Sequence, residues 1–399
     1  MAKQTKDSAY WTSKRVDAWM KDYANGHIRK DNPWADGMIG IRKPDLLFEY
    51  TAEEIQEVTK CAQDIIYFAN NYCYCMQGGK GYQPLTLRDY QEDMLRNYSK
   101  NRFNICLSAR QSGKTVTAAV FLLHSSIFNY DKNIGVAANK QATAIEIMDK
   151  IKEILDRLPF FLKPGIKTNN QAMMEFDNGC RMIAQATTKR SFIGHTIHIL
   201  YLDEFAHVEP HILNEFYENI MPTVSSMEDS KIVITSTPNG YNKYHDLWQG
   251  AVDGTNSFHP IRVDWWQVPG RDDAWRDKMI HVCGGPDEFM RQFGNSFLST
   301  GNTLLSPDSL AKLQQGRQKF LRKELLEIEK NWDPEFDDLL FHPDFDVERF
   351  RDNNKRWVMS LDLAEGSGGD YTVMNLFEVR VKDANIHKLY NDENADIKK

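Results

Sequence analysis

The chain has 399 residues, of which 41% are hydrophobic, 12% aromatic and 26% charged, a globular composition that excludes a disordered or fibrous protein and suits two or three domains. Its 49 Lys and Arg against 56 Asp and Glu give a formal charge of −7, which excludes a uniformly basic nucleic-acid coat but not a local basic groove. No apolar run reaches the roughly 18 residues of a membrane span, and the opening MAKQTKDSAYWTSKR lacks the apolar stretch of a secretory signal.

Residues 1–50 read as a polar N-terminal arm, with Trp11, Trp19 and Trp34 among charges and a turn at Asn32-Pro33. In AEEIQEVTKCAQDIIYFANNY, Ile55, Val58, Ala62, Ile65, Ile66 and Phe68 recur at three- and four-residue steps, which predicts one amphipathic helix. A glycine turn, QGGKGYQP, follows, and LRDYQEDMLRNY begins another helix. The cysteines, Cys61, Cys73, Cys75, Cys106, Cys180 and Cys283, include no CxxC pair and no zinc spacing, so free thiols are expected.

From about 103 to 240, FNICL, NIGVAA, MEF, MIAQA, IHILYL and KIVITST read as strands, and TVTAAVFLLHSSIF and QATAIEIMDKIKEILDRL as helices. Buried runs alternating with helices predict an α/β fold, a mostly parallel sheet covered on both faces, with its core in 51–245. Residues 246–350 are expected as a smaller second lobe and linker, carrying Trp248, Trp265, Trp266, Trp275 and the charged helix SLAKLQQGRQKFLRKELLEIEK, and ending near HPDFDVERFRDNNKR. In 351–399, WVMSLDLA, the glycine turn GSGGD and YTVMNLFEVRV predict two further strands before a polar tail.

The strongest local signal is SARQSGKT, Ser108 to Thr115, between a strand and a helix, which is the context of a P-loop with Ser108 in place of its first glycine. There the loop N–H groups of Ser108, Gln111, Ser112 and Gly113 cradle phosphates, Lys114 meets the β- and γ-phosphates, and Thr115 offers its hydroxyl to Mg²⁺. A second buried strand, IHILYLDE, delivers Asp203 to hold Mg²⁺ and Glu204 to activate water, as in a Walker B site; together the two motifs predict ATP hydrolysis. Ser236 and Thr237, at the end of KIVITSTPNG, are placed to sense the γ-phosphate. Gln91 can read the adenine edge while Tyr90 packs nearby, or the pair can belong to an ordinary helix start. Arg110, inside the loop, is either an arginine finger supplied in cis or the partner of Glu204 or another carboxylate.

In order, LRDYQ, SARQSGKT, DNGCRM, LYLDEFA, STPNG and SLDLAEGSGGDY resemble the large terminase subunit of tailed bacteriophages, T-even type, over roughly residues 82 to 375. The resemblance implies a P-loop ATPase of the RecA-like class that drives double-stranded DNA into a procapsid in a host cytoplasm, away from membranes. It implies a ring of copies on a portal protein, loaded by a small terminase subunit. It further assigns Gln91 to adenine, Arg110 to the cis finger, Lys114 and Thr115 to the Walker A pair, Asp203 and Glu204 to the Walker B pair, and Ser236 and Thr237 to the coupling motif. One departure is Ile193-Gly194 where relatives often have Arg-Gly, with Lys189 and Arg190 nearby.

The resemblance also implies an RNase H-like nuclease after the ATPase, with Asp362 as its first metal-binding acid and Glu365 and Asp370 close by. Such a site gathers carboxylates from several strands around two metals about 4 Å apart, and residues 363–399 are too few to supply them. The expectation is an incomplete nuclease start in 351–399 and no DNA cutting by this chain alone. Two other classes fit some of the motifs: a helicase-type ATPase, which needs a second RecA-like lobe, and a non-catalytic assembly subunit that binds nucleotide only to dock.

Overall fold

Runs of four to six apolar residues are too short for helices and too buried for loops, and in the computed structural model they assemble into one sheet. The structure describes residues 10–297, except 28, 36, 37 and 226, and the strand backbones 356–362 and 373–379. The chain divides into two units, Met1–Leu304 and Leu305–Lys399.

The first unit opens with α1 (Ser13–Ala24), α2 (Ala52–Gln63) and α3 (Ile65–Tyr72), then the hairpin β1 (Tyr74–Gln77) and β2 (Gly81–Pro84), and α4 (Asp89–Lys100). The core continues with β3 (Phe103–Ser108), α5 (Lys114–Ile127), β4 (Asn133–Ala138), α6 (Gln141–Leu155), β5 (Ile166–Asn169), β6 (Met173–Phe176), β7 (Arg181–Ala186) and β8 (Ile199–Asp203). It closes with α7 (Pro210–Ser225), β9 (Lys231–Ser236), α8 (Lys243–Val252), β10 (His259–Val263), α9 (Asp273–Cys283) and α10 (Pro286–Gln292). The 8-stranded sheet runs β10-β3-β9-β8-β4-β7-β6-β5. Its strands from β10 to β7 are parallel, and β6 and β5 are antiparallel additions at the far edge.

Alternation along the strands divides the core into two layers. Cys106, Tyr201 and Val233 face α4, α5 and α6, packing with Tyr98, Leu122 and Ile151. Their neighbours Ile105, Leu107, Leu200, Leu202, Ile232 and Ile234 face the other way, onto Phe205, Phe216, Tyr244 and Trp248. The same parity carries to the strand ends, so Asp203 and Thr235 fall on the α5 side and Ser236 on the opposite side.

Three expectations change. The single helix over 52–72 is two, because Asp64 leaves helical geometry (φ −132, ψ 105), ends α2, and accepts the Ile66 N–H with its side chain to start α3. The polar arm is folded: Trp11, Trp19 and Trp34 form a small core with Phe160, and Arg42 stacks on Phe48 and Phe160. The segment from 246 gives the sheet its edge strand, since β10 pairs along β3 from His259 opposite Asn104 to Val263 opposite Ser108. Pro260 and Arg262 disguise β10 as a loop in the sequence, and an edge strand is the place where a proline is tolerated.

In the second unit, β11 (Arg356–Asp362) and β12 (Val373–Val379) pair antiparallel, with Asp362 opposite Val373 at the end of the ladder. The helix expected over 309–330, the linker near 342–355, the GSGGD turn, Glu365 and Asp370 lie outside the described residues.

Tyr244 of α8 is fully buried and donates its hydroxyl hydrogen to the Cys106 carbonyl of β3 at 2.7 Å, tying the segment after β9 to the strand that carries the phosphate loop. Tyr244→Phe should lower stability by about 1 kcal/mol in urea unfolding with an unchanged slope.

Candidate active site

The parallel register brings three strand ends level. Ser108 ends β3, Ser236 pairs with Leu107 at the end of β9, and Asp203 pairs with Thr235 and Ala138 at the end of β8. The chain leaves β3 through Ala109–Gly113 and enters α5 at Lys114. Gly113 is the N-cap, with φ 82, and a Cβ there would stand 2.7 Å from Gln91 Nε2. Both the left-handed backbone and the close amide therefore require glycine. Gln111 is also left-handed (φ 57).

The loop carbonyls are pulled outward. Arg271 donates to the Arg110 carbonyl at 3.0 Å and to the Gln111 carbonyl at 3.2 Å, and Tyr90 donates to the Ser112 carbonyl at 2.8 Å. Among the described residues the N–H groups of Gln111, Ser112 and Gly113 make no hydrogen bond. Carbonyls turned out and N–H groups left free at a helix N-terminus make an anion-binding nest. Arg271 lies over the rings of Trp275 (4.7 Å) and Phe293 (5.4 Å), within an aromatic cluster that also holds Ala109, Trp265 and Phe289.

Lys114 is buried and its Nζ donates to Asp203 Oδ1 at 2.9 Å and to Glu204 Oε1 at 2.5 Å. Burial opposes its charge, but the two carboxylates outweigh that penalty and raise its pKa above the usual lysine value. Asp203 is only 3% exposed, and its Oδ1 also accepts from Thr235 Oγ1 at 2.7 Å, with the Tyr201 hydroxyl 2.9 Å from Thr235 behind it. Glu204 stands beyond the ladder in a left-handed turn (φ 49, ψ 40), a conformation that costs an L-residue about 1–2 kcal/mol. The turn swings its carboxylate back toward the loop.

After Glu204 comes a 3₁₀ turn, Phe205–His207, stitched to the end of β9. The Ala206 N–H donates to Ser236 Oγ at 3.1 Å, and the Ala206 carbonyl accepts from Asn239 and Asn242 at 3.0 and 2.9 Å. His207 Nε2 is 2.8 Å from Thr237 Oγ1 and 3.5 Å from Glu204 Oε2. Burial pushes the His207 pKa down and the positive fields of Arg110 and Lys114 lower it further, against Glu204 and Asp203, which raise it.

The structure thus gathers Ser108, Gln111, Ser112, Gly113, Lys114, Asp203 and Glu204 around one cleft. Thr115 follows Lys114 on the first turn of α5, half-buried. Arg110 is exposed on the loop, and among the described residues its guanidinium makes no hydrogen bond or ion pair; Glu204, the carboxylate foreseen as its partner, pairs with Lys114 instead. Gln91 is buried beneath the loop with both ends of its amide engaged, accepting from the Arg88 N–H at 3.1 Å and donating to Thr117 Oγ1 at 3.1 Å. Ser236 turns away from the cleft, its hydroxyl donating to the Thr237 carbonyl at 2.7 Å. Thr235, His207 and Arg271 escaped the sequence reading. Thr235 could have been found from strand parity with Asp203; the other two carry no motif.

No group of three or more His, Cys, Asp or Glu side chains able to hold a metal occurs among the described residues. A nucleotide-bound Mg²⁺ asks less, one carboxylate and one hydroxyl with phosphates and water completing its shell, and Asp203 with Thr115 fits that set. No helix among the described residues is long and apolar enough to cross a membrane.

The family model described as "Terminase large subunit, T4likevirus-type, N-terminal" matches residues 105–309, just over half of the chain. Among solved structures, the large terminase of bacteriophage HK97 is 16% identical over 79% of this chain and 67% of its own, at a TM-score of 0.50, a likeness of fold. The large terminase ATPase domain of Thermus phage P74-26 is 19% identical over 53% of this chain and 94% of its own, at 0.45. The large terminase of a further, thermophilic bacteriophage, solved with ADP, is 12% identical over 53% of this chain, which spans about half of that protein (54%), at 0.43. The family match spans the loop, the acidic pair and the strands between them, and the chain belongs to the T4-like terminase large subunits, ATPases of phage DNA packaging.

Proposed function

We propose that this chain converts ATP hydrolysis into movement of double-stranded DNA, with the nucleotide held between Ala109–Thr115 and Asp203–Glu204. The observation that carries the reading is the meeting of Lys114 with Asp203 and Glu204, 89 and 90 positions further along the chain. An ammonium shared by two carboxylates is ready to exchange them for phosphate oxygens, which are equally good charged acceptors. Asp203 and Thr115 would hold Mg²⁺, which draws off charge building on the transferred phosphoryl group. Released from Lys114, Glu204 is free to align water and accept its proton. Arg110, on the loop and without a competing partner among the described residues, suits a cis finger that steadies the equatorial oxygens.

Gln91 supports the loop from below in this reading, and recognition of the adenine edge by it would exchange one of its two amide bonds. Thr237 and its turn carry the change outward. The DNA is held mainly through its phosphates, since a packaging machine works on every sequence. A ring of copies on a portal protein, a small terminase subunit and the host cytoplasm complete the proposal. A nuclease role for Asp362, as first metal-binding acid, is part of it too, with an ATPase core that reaches past the expected 51–245 to take in β10 and a nuclease start in 351–399.

Glu204→Gln should bind ATP normally and hydrolyse it at least 100-fold more slowly, whereas Lys114→Ala should lose nucleotide binding. Hydrolysis at the wild-type rate by Glu204→Gln, followed by phosphate release, would sink the assignment. Arg271→Ala frees two loop carbonyls and should raise KM for ATP about tenfold with little change in kcat; a KM equal to wild type would show that the loop holds its shape unaided.

A further inference from the structure

Lys114 accounts for one oxygen of Glu204. The other, Oε2, is buried and makes no hydrogen bond among the described residues. His207 Nε2 stands 3.5 Å away, and that same nitrogen is 2.8 Å from Thr237 Oγ1. In the tautomer that carries its hydrogen on Nε2, a neutral ring can donate to one of these two oxygens at a time. Moving it into bonding range of Glu204 takes a shift of only about 0.5 Å.

We propose that His207 is a positioning residue with two resting places, Thr237 Oγ1 and Glu204 Oε2, and that it links the catalytic carboxylate to the turn after β9. The inference rests on the reading of Glu204 as the base that activates water. When Lys114 turns to phosphate, Glu204 loses its cation and keeps a buried oxygen in need of a donor. His207 then swings to Oε2 and fixes the carboxylate in the orientation that water activation needs. Thr237 loses its partner by the same movement. The turn it belongs to stays joined to Ala206 through Asn239 and Asn242, next to the bond from the Ala206 N–H to Ser236 Oγ. Nucleotide occupancy at the loop is thereby passed to Thr237 through one side chain.

The test is steady-state ATPase kinetics on the full chain, with nucleotide affinity from a fluorescent ATP analogue and thermal melting as controls. His207→Ala should lower kcat by about 10- to 100-fold while KM and nucleotide affinity stay within about twofold. His207→Gln, whose Nε2 replaces the imidazole donor at similar reach, should recover most of the rate. The effect of Thr237→Val should vanish in the His207→Ala background, because the link is already cut. Wild-type kcat in His207→Ala, a loss that only follows a lower melting temperature, or additive effects of the two substitutions would each overturn the link. Should His207→Ala not fold, His207→Phe, which keeps a ring but has no donor, takes its place in the cycle, and additivity between it and Thr237→Val overturns the link, whereas non-additivity upholds it. Glu204→Gln separates the two failures: if it abolishes hydrolysis while His207→Ala is silent, only the link is wrong, and if it is itself silent, the base is misassigned.

Discussion

One buried ammonium holds this cleft together. Lys114 pairs with Asp203 and Glu204 at once, and the sheet order makes the meeting possible. With β9 inserted between β3 and β8, the loop strand and the acid strand stand two spacings apart, about 10 Å. Removing one member of such a buried set costs about 3–5 kcal/mol because a charge is left uncompensated. A bound triphosphate avoids that cost for the lysine by offering other oxygens, so the interaction that closes the cleft is also the one a nucleotide replaces most easily.

The two acids differ in freedom as their roles require. Asp203 is the last residue of a fully buried strand, and Thr235 and Tyr201 back it with a chain of hydrogen bonds. A group that holds an ion gains from such rigidity. Glu204, one residue on, sits outside the ladder in a left-handed turn with a single ionic partner at bonding distance and an unbonded second oxygen. Strain at that position is tolerated only because Asp203 before it and Ala206 after it are both fixed.

Much of this was legible in the residues. The strands of the core read as buried runs, and the loop and the acidic pair read from their place between strand and helix. What was hidden follows from physical causes. β10 is an edge strand with Pro260 and Arg262, so its pattern resembles a loop, and only its pairing with β3 reveals it. Asp64 reads as one polar position on a helix face, yet its backbone breaks the helix in two. Ser236 and Thr237 both read as sensors at a strand end; strand parity puts Ser236 on the side opposite Asp203, its hydroxyl on the Thr237 carbonyl, while Thr237 Oγ1 meets His207. His207 and Arg271 act through distances that no spacing encodes.

The phosphate loop itself shows why a short motif is only part of a site. Its glycine and lysine are local, but the direction of its peptide groups is set by residues on both flanks. Tyr90, from α4, holds the Ser112 carbonyl, and Arg271, 160 and 161 positions away from Gln111 and Arg110, holds theirs. Three successive carbonyls fixed outward leave the intervening N–H groups inward, which is the arrangement a phosphate needs. Arg271 is kept in place by Trp275 and Phe293, on the segment that also packs against Ala109. Any displacement of that aromatic segment therefore acts on the loop through two hydrogen bonds, and any reshaping of the loop by a bound anion acts back on the segment with the same coupling, as linkage demands.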